Sequence, residues 1–71
     1  MKENATLVDF EAHVGLKSTY ACRLIGMAYP TYAAYRSCAR PLPRYHQNHV
    51  QDIKRLSRRE LGKLINERIY G

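Results

Sequence analysis

Basic side chains without acidic neighbours occupy the middle of this 71-residue sequence. No Asp or Glu occurs between residues 17 and 51, whereas five cationic residues do. These are Lys17, Arg23, Arg36, Arg40 and Arg44. On a chain of formal net charge +6, a stretch whose charged residues are all basic is typical of a surface that binds phosphate groups. A solvated basic face is the alternative interpretation.

Two cysteines and two histidines could bind a metal or supply a nucleophile. His46 and His49 are three residues apart, but Cys22 and Cys38 lack the short spacing of a zinc site, so we expect no metal. Cys22 is predicted to be a small core residue and Cys38 an exposed loop thiol. The cysteine usage, with no recognisable leader and no run of about 18 apolar residues, favours a cytoplasmic protein outside the membrane.

The sequence offers little for catalysis. Carboxylates are few, and no glycine-rich loop could hold a phosphate, so we expect neither an enzyme nor a cofactor. Six tyrosines could stack on single-stranded nucleic acid. For Tyr32 and Tyr35 we favour core positions with hydroxyls that reach solvent.

The elements that must position these residues are short helices. We predict an all-α, compact bundle of about five short helices in one domain, residues 1–71. Thr6 and Asp9 resemble a capping box for the first helix, which Gly15 ends. Ser18 is the predicted cap of the second helix, which Gly26 closes. The third helix, about residues 29–37, has Pro30 near its start.

Two prolines, Pro41 and Pro43, predict a loop before the last two helices. The fourth helix is expected over about residues 44–55, with five of its residues directed toward the core. These are Tyr45, His49, Val50, Ile53 and Leu56. Ser57 and Glu60 form a capping box for a fifth helix, residues 57–71, although one continuous helix from residue 44 remains an alternative.

The fifth helix has an amphipathic pattern with an apolar stripe that could be a dimer seam. The stripe consists of Leu61, Leu64, Ile65 and Ile69. Its charged residues predict a solvated face with local ion pairs, or a basic helix lying on a membrane surface. The charged residues are Arg58, Arg59, Glu60, Lys63, Glu67 and Arg68.

Residues 18–37 fit the geometry of a helix-turn-helix. Crossing helices need a small residue where they approach, for which Ala21 or Cys22 is suitable, and a glycine at the turn, for which Gly26 is suitable. The run Ala21-Cys22-Arg23-Leu24-Ile25-Gly26-Met27 and the later Tyr35-Arg36-Ser37 resemble the phage-repressor and Cro-type helix-turn-helix family. The basic, proline-containing residues 36–43 resemble a segment of small phage regulators. The resemblance covers about residues 7–56, and Cys38 stands where the family commonly has glycine.

The resemblance implies that residues 29–37 form a recognition helix that enters the major groove. The base-contacting residues would be Tyr29, Pro30, Thr31 and Ala34. The phosphate-contacting residues would be Thr19, Tyr20, Arg36, Arg40 and Arg44.

We therefore expect a sequence-preferring transcriptional regulator of double-stranded DNA. It would be repressor-like, encoded by a phage or prophage, associated with the nucleoid and active as a homodimer. An excisionase-like architectural factor would bind in the same way and bend the DNA. The alternative from another class is a small inhibitor or adaptor that uses the helix-turn-helix to bind a host protein.

Overall fold

The computed structural model describes residues 3–71, and Met1 and Lys2 of the predicted domain lie outside the described residues. This part of the chain is an all-α bundle, which confirms the predicted fold class, and it contains no strand. The helices are α1 (Ala5–Val14), α2 (Ser18–Leu24), α3 (Tyr29–Arg36), α4 (Arg44–Lys54) and α5 (Arg58–Ile65). A π-helical turn, Asn66–Tyr70, follows α5 and is called the π-segment below.

Helix α1 begins earlier than the sequence pattern suggests. The Asn4 side-chain oxygen accepts hydrogen bonds from the amides of Thr6 and Leu7, at 3.0 and 3.3 Å. The predicted capping box of Thr6 and Asp9 is therefore wrong, because Thr6 already lies inside the helix. Asparagine is as good a cap as serine, so Asn4 satisfies the free amides first. The end of α1 is as predicted, with Gly15 in the left-handed region at φ 71°.

Helices α2 and α3 are joined by residues 25–28 and pack against each other, which forms the expected helix-turn-helix. Gly26 has φ 67°, so it supplies the left-handed turn. Ser18 is the first residue of α2 rather than its cap, since the Lys17 carbonyl accepts from the amides of Tyr20 and Ala21. The cap of α2 was therefore predicted one residue too late.

Cys38 follows the C-cap residue of α3, Ser37, and itself adopts φ 64°. It therefore forms the left-handed turn at the position where the helix-turn-helix family that the sequence resembles commonly has glycine. A side chain in this conformation carries a strain of order 1 kcal/mol.

The core is built mainly from α1, α2, α3 and the second half of α4. Its buried members are Leu7, Phe10, Val14, Ala21, Cys22, Leu24, Ile25, Tyr32, Tyr35, Leu42, Val50 and Ile53. The core positions predicted for Cys22, Tyr32 and Tyr35 are thus confirmed. Helix α1 packs against both α2 and α4, so it lies behind the helix-turn-helix and supports it.

Helix α4 buries only part of the predicted face. Val50 and Ile53 are buried as expected, but Tyr45 and His49 are exposed. The half-buried residue in the first turn is His46, whose ring lies 5.7 Å from that of Tyr35. Positions 46, 50 and 53 share one helical face, so the prediction was displaced by one residue at the start of the helix.

The chain breaks between α4 and α5, so a continuous helix is excluded. Ser57 accepts a hydrogen bond from the Glu60 amide at 3.2 Å, which confirms the predicted cap. The predicted apolar stripe of α5 is half-buried and packs against the core of its own chain. The local ion pairs predicted for residues 58–68 do not form within 4.0 Å. None of the helices in residues 3–71 has the length and apolar content required to cross a bilayer.

Candidate nucleic-acid interface

The first turn of α3 projects from the bundle. Tyr29 is 46% exposed and Pro30 is exposed, while Thr31 and Ala34 are half-buried. Tyr32 and Tyr35 point the other way, into the core. The four residues predicted to contact bases therefore lie on the accessible side of α3. None of them is charged, so this surface can offer two hydroxyl groups and several apolar contacts.

Arg36, the charged residue of α3, forms ion pairs with two carboxylates. Its Nε donates to Glu11 Oε2 at 2.7 Å, and its Nη1 donates to Glu3 Oε2. These two hydrogen bonds, that to Glu11 first, raise the pKa of the Arg36 guanidinium further above its already high value. The structure thus gives Arg36 an internal role in place of the predicted phosphate contact.

Tyr32 belongs to the same network. Its side chain is fully buried, and its hydroxyl donates to Glu11 Oε2 at 2.6 Å. The expectation that this hydroxyl reaches solvent is therefore wrong. Burial, followed by the hydrogen bond to Glu11, raises the pKa of Tyr32 well above its ordinary value of 10.0. One carboxylate oxygen thus holds two side chains of α3, and through them α3 is attached to α1.

The other predicted phosphate-contacting residues are accessible. Thr19 and Tyr20 are exposed in the first turn of α2. Arg40 is exposed beyond α3, and its amide donates to the Ala34 carbonyl at 3.2 Å, which places its backbone beside the end of α3. Arg44 is exposed at the first position of α4. These residues border the helix-turn-helix at the start of α2 and beyond the end of α3.

The acidic residues near the N-terminus are bound internally. Glu3 and Glu11 hold Arg36, and Asp9 accepts a hydrogen bond from Lys54 in α4. The hydrogen bond from Lys54, followed by its positive charge, lowers the pKa of Asp9 below its ordinary value of 3.8. These carboxylates therefore pair with Arg36 and Lys54, and not with the other cations around the helix-turn-helix.

Five cations around the helix-turn-helix have no carboxylate within 4.0 Å in the described part of the chain. They are Lys17, Arg23, Arg40, Arg44 and Arg68. The first four lie in the acid-free stretch of the sequence. Arg68 was missed as a candidate because it belongs to the C-terminal tail, and it reaches this region only through packing of the π-segment on α2.

The thiols and histidines do not form a further site. Cys22 is buried, and its Sγ lies 3.2 Å from the Thr19 carbonyl oxygen, whereas Cys38 is exposed. Among residues 3–71 there is no cluster of three or more His, Cys, Asp or Glu side chains that could hold a metal ion.

No protein-family model, curated protein or solved structure matches this chain.

Proposed function

We propose that this protein binds double-stranded DNA as a transcriptional regulator and places α3 in the major groove. The observation that carries the proposal is the arrangement of charge around the exposed turn of α3. The exposed turn of α3 is uncharged, and cations with no carboxylate within 4.0 Å among residues 3–71 lie near α2, beside Gly26 and beyond the end of α3. The acids near the N-terminus are bound to internal partners.

The size and chemistry of α3 suit the groove. An α-helix with its side chains is about 10–12 Å wide, and the major groove of B-DNA is about 12 Å wide. Tyr29 and Thr31 each offer a hydroxyl that can donate to or accept from a base edge. Pro30, Ala34 and the Thr31 methyl group suit the C5-methyl group of thymine.

The phosphate contacts would fix the orientation of α3. Thr19 and Tyr20 at the start of α2, with Arg40 and Arg44 beyond α3, are positioned to bind the strands that border the groove. Arg36 supports these contacts indirectly, because it attaches α3 to α1 through Glu11. We do not include it among the phosphate-binding residues.

We extend the proposal to a homodimer on two half-sites, which represses by occluding a promoter in the nucleoid of a phage-infected or lysogenic bacterium. An excisionase-like factor would use the same contacts and bend the duplex. The apolar stripe of α5 is not our candidate for the dimer seam, since it packs against the core of its own chain.

The proposal is tested by selecting bound duplexes from a random pool and then titrating the consensus by fluorescence anisotropy. Arg40 and Arg44 supply two cationic phosphate contacts, so affinity should fall about tenfold between about 50 and 200 mM salt. A palindromic consensus with half-sites one helical turn apart would support the dimer. The absence of duplex binding at the lower salt concentration would refute the proposal.

Base contacts are tested by two substitutions and a control. Thr31→Val removes a hydroxyl and keeps the shape of the side chain. Tyr29→Ala removes an exposed aromatic side chain that is proposed to contact a base. Each should relax the consensus at one position, at a cost of about 1–3 kcal/mol for the preferred base. Tyr45→Ala, at an exposed tyrosine of α4, should leave the consensus unchanged. If all three variants select the wild-type consensus, α3 does not read bases.

A second candidate function follows from the absence of charge on the exposed face of α3. A surface formed by Tyr29, Pro30 and Ala34 has the apolar and aromatic character found at the centre of protein interfaces. On that basis the protein would be an inhibitor or adaptor of a host protein. Tyr29→Ala would then abolish capture of that partner, while salt would have little effect.

A further inference from the structure

The turn of the helix-turn-helix carries two arginines from distant parts of the sequence. Arg68 Nη1 lies 3.9 Å from the position that a β-carbon would occupy on Gly26. Arg23 is adjacent to the same glycine, because its carbonyl accepts from the Gly26 amide at 3.1 Å. We call Arg23 and Arg68 the turn cluster.

The positive charge of the turn cluster is not compensated nearby. Both residues are exposed, and neither has a carboxylate within 4.0 Å among residues 3–71. The guanidinium of Arg23 lies 5.7 Å from the ring centroid of Tyr20, so the cluster is continuous with the exposed surface of α2. An anion that approaches Gly26 meets the Arg68 guanidinium, and one that approaches the neighbouring surface of α2 meets that of Arg23.

The fold holds Arg68 at this position. The π-segment packs against α2, and Ile65 and Ile69 lie half-buried against the core on either side of Arg68 in the sequence. The location of the Arg68 guanidinium is thus a consequence of apolar burial in the C-terminal tail.

The turn cluster is close to the exposed end of α3. Gly26 and Tyr29 are three residues apart, so their Cα atoms are separated by at most about 11 Å. The major groove is about 12 Å wide. When Tyr29 lies in the groove, a cation at the turn is within about one groove width of it and can reach a bordering strand.

We propose that the turn cluster binds the phosphodiester backbone of the duplex that α3 enters, so that the C-terminal π-segment is part of the DNA-binding surface. The inference rests on the proposed function. It adds a phosphate contact from a segment outside the helix-turn-helix.

The test uses the full chain and the selected consensus duplex, with affinity measured at several salt concentrations. Arg68→Gln should lower the slope of log K against log salt by about 0.9 and weaken binding about tenfold at about 50 mM salt. Arg68→Lys retains the charge and should keep the wild-type slope. The matched control is Arg55→Gln, which removes another exposed charge, beside Asp52 at the end of α4. It should change neither quantity beyond experimental error.

The outcomes separate this inference from the proposed function. If the wild-type chain binds no duplex, both are refuted. If the wild type binds and Arg68→Gln retains the wild-type slope, the turn cluster is refuted while the proposed function stands. If Arg55→Gln lowers the slope as much as Arg68→Gln does, the effect is one of net charge and the inference is again refuted. Comparison with Arg68→Lys distinguishes loss of charge from loss of folding.

Discussion

The attachment of α3 to α1 through Glu11 predicts that one buried hydroxyl contributes a large part of the stability of this domain. Tyr32→Phe removes the hydroxyl that donates to Glu11 Oε2 at 2.6 Å and leaves the ring in the core. Glu11 keeps its hydrogen bond from Arg36 at 2.7 Å, so the substitution does not strand the carboxylate. The expected loss is that of one hydrogen bond to a charged group, about 2 kcal/mol.

That loss is a substantial fraction of the total. A domain of this size has a free energy of unfolding of about 4–10 kcal/mol. In thermal unfolding followed by circular dichroism, the Tm of Tyr32→Phe should fall by about 10 °C. Tyr45→Phe is the matched control, because Tyr45 is 68% exposed and its hydroxyl has no hydrogen-bond partner within residues 3–71.

A double-mutant cycle isolates the contact. Glu11→Ala leaves the buried Tyr32 hydroxyl without its acceptor and should cost more than Tyr32→Phe. In the Glu11→Ala background, Tyr32→Phe removes the hydroxyl that lacks an acceptor and should cost nothing or raise the stability, which gives a coupling energy of at least about 2 kcal/mol. The reasoning is refuted if Tyr32→Phe lies within about 0.5 kcal/mol of the wild type, or if the two substitutions are additive.

Three further predictions concern the turn after α3, the reactivity of the two thiols and the loss of folding stability at acidic pH. Cys38→Gly should raise the free energy of unfolding by up to about 1 kcal/mol in urea denaturation, since glycine adopts φ 64° without strain; a lower stability would contradict this. In the folded protein a disulfide reagent should label Cys38 rapidly and Cys22 only after unfolding, because burial raises the pKa of Cys22 and blocks access; equal labelling rates would contradict this. The lowered pKa of Asp9 stabilises the fold above pH 3.8, and this contribution is lost as the pH falls through the folded-state pKa. Between neutral pH and pH 3.8 or below, the free energy of unfolding should therefore decrease less for Asp9→Asn than for the wild type. Parallel plots of stability against pH would contradict this.

Much of the candidate site could be derived from local patterns. Gly26, the apolar residues before it and Pro30 after it predicted both helices of the helix-turn-helix and the turn between them. The helical period then places Pro30 opposite Tyr32 and Tyr35, and the structure exposes Pro30 and buries both tyrosines. Tyr29, three residues before Tyr32, is exposed at the first position of α3. These features depend on neighbouring residues, so the amino-acid order contains the information needed.

The charge pattern could be derived only in part. The acid-free stretch was visible in the sequence, but it did not distinguish Arg40 from Arg36. In the folded chain Arg36 meets carboxylates 25 and 33 residues away, while Arg40 meets none within 4.0 Å among residues 3–71. Which cation is neutralised depends on how α1 docks against α3.

The sequence by itself determined where the chain turns and which helices are amphipathic, because a left-handed glycine, a capping serine and a period of 3.6 act within a few residues. Tertiary structure alone decided that His46, and not Tyr45 or His49, packs inward from α4, that Arg36 pairs with Glu11 of α1, and that Arg68 lies beside Gly26. Each of these depends on contacts between helices distant in the chain, and burial of the shared core selects the packing that creates those contacts.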